Sequence, residues 1–195
     1  MQGAFIVLDG PDGSGTTLHT RLLSQRLGNE GHTVVQTAEP SDGSIGKFVR
    51  QMLKSGELAG DALQLLFTAD RADHIGRVLE PAIRTGKTVI CDRYISSTIA
   101  YGEALGFDSE WLESLNKKFI RPDTLLFLLP PIEVILKRLT ERKSHESLET
   151  TELQTKVHAA YRKFAKKDSK IIVINTNGPK EEVAEKIWDS IKNLS

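Results

Sequence analysis

Residues 5–20, FIVLDGPDGSGTTLHT, constrain this chain more than any other stretch. A short apolar run with β-branched Ile6 and Val7 ends on Asp9, and its length predicts a buried parallel strand over residues 4–9. Gly10, Gly13 and Gly15 follow within six residues, and then Leu18, Leu22, Leu23 and Leu27 recur at helical spacing, with Gly28 and Gly31 marking that helix's end. A glycine turn between a strand and a helix lets successive backbone N–H groups and the helix's positive end face one anion, for which a β-phosphate is the natural guest. Gly10, Pro11, Asp12, Gly13, Ser14, Gly15 and Thr17 fit the phosphate-loop pattern G-x-x-x-x-G-K-[ST], but Thr16 stands where the lysine belongs. Thr17 is placed to offer its hydroxyl to Mg²⁺. The alternative is a glycine-rich turn with no ligand.

Thr16 cannot supply the positive charge that reaches the β- and γ-phosphates. Phosphoryl transfer is mostly positioning and charge stabilisation, and loss of one such donor costs on the order of a hundredfold in rate. Another cation must then compensate. Arg138, Arg142 and Lys143 are the candidates, because a helix end followed by the unpatterned polar segment KSHESLETTE is where a lid belongs. A solvated charged helix face is the alternative for each of them.

The rest of the chain alternates strand and helix. Further strands are predicted at 33–37, 88–91, 123–129 and 170–175. Helices are predicted over 45–53, 95–105, 109–119, about 132–142, a stretch ending near 167 and a last one ending near 194. A long helix over 61–84 should bend or break near Gly76 or Pro81, and its polar Asp70, Arg71 and Asp73 meet no evident need. Such βαβ units make a parallel sheet with helices on both faces, here a three-layer α/β sandwich of five strands. Ligands bind beyond the carboxyl ends of such strands, where Asp9, Glu39, Asp92 and the loop after Leu129 fall. The 195 residues are expected to form one domain, 1–195, with a lid at about 140–152.

Charge narrows the partners. The 26 basic and 26 acidic side chains cancel, so no field attracts nucleic acid or a membrane surface, and phosphate must be held by a local cluster. The longest apolar run, 125–129, is far short of the roughly 20 residues that span a bilayer. The lone Cys91 excludes an intramolecular disulfide, and with no signal-peptide pattern at the N-terminus the expected compartment is the cytoplasm. Cys91 itself reads as an inert, small apolar residue of a strand. His19, His32, His74, His145 and His158 have no metal-ligand spacing and are expected as surface or helix residues. Asp92 and Arg93 leave the third strand where a carboxylate can hold Mg²⁺ waters and a guanidinium can grip a phosphate in bidentate fashion; a structural ion pair is the alternative. Phe67 and Arg71, four apart, share a helix face that offers an aromatic surface and a guanidinium to a base, or else belongs to the core.

Five stretches in order, FIVLDGPDGSGTT, AEPSDGSIGKFVR, LLFTADRADHI, CDRYISSTIAYG and RPDTLLFLLPPIEVILKRL, resemble the thymidylate kinases of the P-loop nucleoside monophosphate kinase group. The resemblance covers nearly the whole chain. It implies a P-loop NTPase-type fold, a homodimer packed through helices, ATP and Mg²⁺ on the donor side, and dTMP as the acceptor that becomes dTDP. By position it implies that Asp12 reaches toward the acceptor and that Glu39 lies near the sugar and the metal. Phe67 would stack on thymine beside Arg71, and Arg50 and Arg93 would bind the acceptor phosphate. Asp92 would support Mg²⁺. Ser97 belongs to the acceptor site, Thr98 lies near the base edge, and Tyr101 crowds the ribose 2′ position. Two departures stand out: Thr16 replaces the loop lysine, and the lid pattern Asp-Arg-x-x-Glu reads Glu146-Ser147-Leu148-Glu149. Either Arg142 or Lys143 has taken over the missing charge, or the protein binds nucleotides with little turnover. A kinase for another monophosphate, such as dUMP or UMP, is the third reading.

Overall fold

The computed structural model describes residues 3–58, 60–141 and 150–192. Five strands, β1 (Phe5–Asp9), β2 (Val34–Ala38), β3 (Thr88–Asp92), β4 (Thr124–Leu128) and β5 (Ile172–Ile174), form one parallel sheet in the order β2-β3-β1-β4-β5. β1 lies at the centre, and this explains its unbroken apolar run: successive side chains point to opposite faces, and both faces are covered. Phe5 and Val7 pack with Ile75, Leu79, Tyr94 and Leu112, whereas Ile6 and Leu8 pack with Leu23, Leu27, Val183 and Ile187. The register sets Leu8 opposite Asp92, and Asp92 opposite Ala38. Asp9, Glu39, Asp92 and the first loop glycine therefore emerge together at one edge of the sheet.

The helices are α1 (Thr16–Asn29), α2 (Ser44–Ser55), α3 (Gly60–His74), α4 (Glu80–Arg84), α5 (Ile95–Ala104), α6 (Ser109–Asn116), α7 (Ile132–Thr140), α8 (Thr151–Lys167) and α9 (Lys180–Ile191). The break expected in the long helix is a π-helical turn, Ile75–Leu79, between α3 and α4. Pro81 has no N–H, and its ring would press on the carbonyl of Arg77; the wider turn just before it relieves that conflict. α1 runs through Gly28, and its buried face is Thr16, His19, Thr20, Leu23 and Leu27, while Leu18 and Leu22 are only half-buried. His19, His74 and His158 lie on helices but are buried, not at the surface. Among the described residues no helix is long and apolar enough to cross a membrane. Arg142, Lys143 and 146–149, and with them most of the expected lid, lie outside the described residues.

Candidate active site

The glycine turn after β1 bends through left-handed backbone at Gly13 (φ 81°) and Gly15 (φ 96°), which glycine adopts without steric cost. Below it, fully buried Asp9 accepts from the N–H groups of Gly10 (2.9 Å), Tyr94 (3.2 Å) and Ser97 (3.1 Å) and from the Tyr161 hydroxyl (2.5 Å). Burial pushes its pKa up to about 6, against the pull of the Tyr161 hydroxyl, of Arg93 and of the Gly10 and Tyr94 N–H groups. Thr17 at the start of α1 donates its hydroxyl proton to Asp92 Oδ2 at 2.5 Å, which leaves the hydroxyl's lone pairs facing outward. Asp92 Oδ1 is buried without a hydrogen-bond partner among the described residues.

Arg93 leaves β3 in left-handed backbone, φ 67°, unusual for a residue with a side chain. That turn aims its guanidinium at the loop: Nη1 donates to Gly10 O (2.8 Å) and Ser97 Oγ (3.0 Å), and Nη2 to Asp12 Oδ1 (2.5 Å). Burial alone would draw its pKa down, but Tyr101, Asp12, Tyr161 and Asp92 around it raise the pKa well above the ordinary value. Arg93 stays a cation. Asp12 is fixed from above as well, because its N–H donates to Tyr101 Oη (3.0 Å) and Gln154 Oε1 (3.2 Å), while Gln154 Nε2 donates to Asp12 Oδ2 (2.9 Å).

On the opposite wall Arg71, 2% exposed, has its guanidinium fully directed. Nε donates to Glu39 Oε2 (2.9 Å), Nη1 to Asn116 Oδ1 (2.5 Å) and Nη2 to Thr98 Oγ1 (2.9 Å). Glu39's other oxygen, Oε1, pairs with His74 Nδ1 at 3.2 Å, and His74 Nε2 pairs with Thr37 Oγ1 at 2.7 Å. Asp70 accepts from the Ser41 N–H and hydroxyl, so two of the α3 polar residues that lacked an evident need in the sequence, Asp70 and Arg71, hold the Glu-Pro loop, while Asp73 pairs with Arg77 one turn on. Arg50 reaches the same loop, donating to Pro40 O (2.5 Å) and Asp42 Oδ1 (2.9 Å).

One cavity of about 790 Å³ joins these walls. Asp12, Gly13, Gly15, Thr16, Thr17, Glu39, Arg50, Phe67, Arg71, Asp92, Arg93, Ser97, Thr98 and Tyr101 all line it, as do Arg21 and Gln64. Gly10, Pro11 and Ser14 are buried in the loop itself. Arg138 is not in the cavity wall; its Nη1 donates to Gly13 O (3.0 Å) and its Nη2 to Thr176 O (2.7 Å). Beside it, His19's pKa is lowered by burial and by the Arg138 charge. Sequence reading passed over Gln154, Asn116, Tyr161 and Thr176, since a polar residue on a helix or after a strand carries no signal of a partner so far away in the chain. Asp9 gave one, a carboxylate ending a buried strand. Among the described residues no group of three His, Cys, Asp or Glu side chains could hold a metal by itself.

A family model described as thymidylate kinase matches residues 8–187. The chain belongs to the thymidylate kinase family. The "Probable thymidylate kinase" of Pyrococcus abyssi (strain GE5 / Orsay) is 38% identical over 200 residues, spanning 99% of this chain and 98% of that protein. The thymidylate kinase of Thermomicrobium roseum is 35% identical over 199 residues, spanning 97% and 95%. Among solved structures, that of the thymidylate kinase from Candida albicans superposes with a TM-score of 0.86 at 26% identity, covering 99% of this chain and 92% of that one. The five-stranded parallel α/β fold expected from the sequence is the fold of this family. With the family comes its activity: the chain is a nucleoside monophosphate kinase, an ATP:dTMP phosphotransferase. No observation favours the reading of a nucleotide binder without turnover.

Proposed function

We propose that ATP lies with its phosphates over the glycine loop and dTMP lies against Phe67 and Arg71, so that one cavity holds both reacting groups. The observation that carries this is the shared chamber itself: the glycine loop and a helix start, an aromatic ring with a buried guanidinium, and Arg93 hydrogen-bonded to the loop all line one cavity. Holding two reactants in line is the larger part of catalysing phosphoryl transfer. Arg71 faces the base edge together with Thr98, and Phe67 offers its ring to the base. Arg50, Arg93 and Ser97 take the acceptor phosphate, while Asp12, clamped by Arg93 and Gln154, faces the acceptor's attacking oxygen. Tyr101, its hydroxyl turned to Asp12, sets its ring where a ribose 2′-hydroxyl would crowd it.

The residues present fit Mg²⁺. Thr17 has its proton on Asp92 and its lone pairs open, and Asp92 Oδ1 has no protein partner, the pattern a hydrated cation needs. Bound there, Mg²⁺ would supply charge for the donor phosphates. Glu39, by contrast, has both oxygens on Arg71 and His74, so we assign it to anchoring Arg71 rather than to the metal. The charge a loop lysine would bring is shared between Arg93 at Gly10 O and Arg138 at Gly13 O, with Arg142 a further supplier outside the described residues.

We place the enzyme in the cytoplasm as a homodimer packed through helices; Phe48 on α2 and Leu65 on α3, 45% and 51% exposed, support the pairing. Nucleic acid and membranes are not partners in this reading. A coupled assay of ADP release with ATP, Mg²⁺ and a panel of dTMP, dUMP and UMP tests it. The expected result is turnover with dTMP preferred over UMP. No ADP above background would overturn the kinase assignment, and preference for the ribonucleotide would overturn the role given to Tyr101.

A further inference from the structure

The loop is held from behind by two residues outside the cavity, one of which sequence reading passed over. Thr176, two residues past β5 and 2% exposed, donates its hydroxyl to Ser14 O at 2.7 Å. Arg138 on α7 donates to Gly13 O at 3.0 Å and closes the pair by donating to Thr176 O at 2.7 Å and Thr176 Oγ1 at 3.4 Å. α7 presses on the same point: a Cβ on Gly13 would lie 3.3 Å from Ile135 O and 3.5 Å from Leu139 Cγ.

Peptide geometry carries this contact across the loop. A trans peptide is planar, with its C=O and N–H pointing in opposite directions. Holding Ser14 O outward on Thr176 therefore turns the Gly15 N–H the other way, toward the cavity that Gly15 lines. That N–H makes no hydrogen bond among the described residues. Holding Gly13 O on Arg138 likewise turns the Ser14 N–H back into the loop, where it donates to Pro11 O at 3.1 Å. Two successive peptide planes are thus fixed, one spent on the turn and one aimed at the ligand. We infer that Thr176, together with Arg138, is a positioning residue for the donor nucleotide, presetting the Gly15 N–H toward the phosphates. The inference rests on the reading that phosphates occupy the loop. Preset donors cost no reorganisation when charge develops, and a loop without its lysine depends on them the more.

Thr176→Val keeps the shape and removes the hydroxyl, leaving Ser14 O buried without its partner. The measurement is ADP and dTMP binding by calorimetry on the full chain, with KM for ATP and for dTMP alongside. The expected outcome is ADP binding weaker by about tenfold, a matching rise in KM for ATP, and dTMP affinity within about twofold of wild type. Thr176→Ser, which restores the hydroxyl, should restore ADP affinity. If the valine variant does not fold, Arg138→Lys carries the test, since it keeps the charge and loses the fork that spans Gly13 O and Thr176 O; the same donor-side loss is expected. Unchanged ADP affinity in a folded variant, or equal losses for ADP and dTMP, overturns the inference. Failure of the kinase reading would show instead as wild-type protein that binds ADP but does not turn over dTMP, with the valine variant still deciding the role of Thr176.

Discussion

Replacing Glu39 with glutamine isolates what the buried pair does. The two side chains are 5% and 2% exposed, and Glu39 Oε2 lies 2.7 Å from Arg71 Nη2 as well as 2.9 Å from Nε. Glutamine keeps the shape and one acceptor but leaves the Arg71 charge buried without its counter-ion. Breaking such a pair by removing one partner costs about 3 kcal/mol. For a chain of this size the urea slope is about 2–3 kcal/mol/M, so the unfolding midpoint should fall by about 1–1.5 M. Arg71 would keep Asn116 and Thr98 but lose the contact that sets its plane, and KM for dTMP should rise by about tenfold while KM for ATP moves by less than about twofold. Urea unfolding and steady-state kinetics on Glu39→Gln read both. A midpoint unchanged from wild type would refute the energetic argument, and a loss confined to ATP or to the Mg²⁺ requirement would return Glu39 to the metal.

Tyr161→Phe removes the hydroxyl that donates to Asp9. Because Asp9 titrates near 6, well above its unfolded value, it is ionised in both states at pH 7.5 but largely protonated in the folded protein at pH 5; losing a donor to the carboxylate raises its folded pKa further. The variant should therefore lose about 1.5–3 kcal/mol at pH 7.5 and less at pH 5 by urea unfolding, and an equal loss at both would refute the linkage. Thr17→Val should raise the Mg²⁺ concentration for half-maximal rate by about tenfold and leave metal-free dTMP binding unchanged; an unaltered Mg²⁺ requirement would count against Thr17 as a ligand. Thr16→Lys should not raise kcat, because guanidiniums already sit on Gly10 O and Gly13 O; a gain above about tenfold would show that the native loop is impaired.

What the sequence made legible was what local physics dictates. The apolar run of β1, the glycines after it, the Thr17 hydroxyl and the Phe67–Arg71 spacing are each readable within one turn or one strand. The break before Pro81 was readable too, although its form as a π-turn was not, since several distortions relieve the same clash. Asp9, Glu39 and Asp92 could be placed at the strand ends, yet what each carboxylate holds depends on side chains brought together by the sheet order. Asn116 meets Arg71 across 45 residues, and Gln154 meets Asp12 across 142. On its own helix each reads as an ordinary surface polar group. The buried histidines were hidden the same way: His74 is inside because Glu39 and Thr37 need a partner there, not because of anything in its own helix.

The missing lysine changes meaning once the loop's backbone is followed group by group. Gly10 O is held by Arg93 from the end of β3, Gly13 O by Arg138 of α7, Ser14 O by Thr176 after β5, and the Asp12 N–H by Tyr101 of α5 and Gln154 of α8. A loop lysine brings charge on a flexible stem that must be ordered with the phosphates, whereas dipoles fixed by the fold are already in place when charge develops. Each anchor comes from a different element, so the loop's geometry is a property of the whole sheet edge. On this reading the two arginines serve twice, fixing carbonyls away from the phosphates and lending positive potential to the same site, and the burden that one lysine carries elsewhere is distributed over the scaffold.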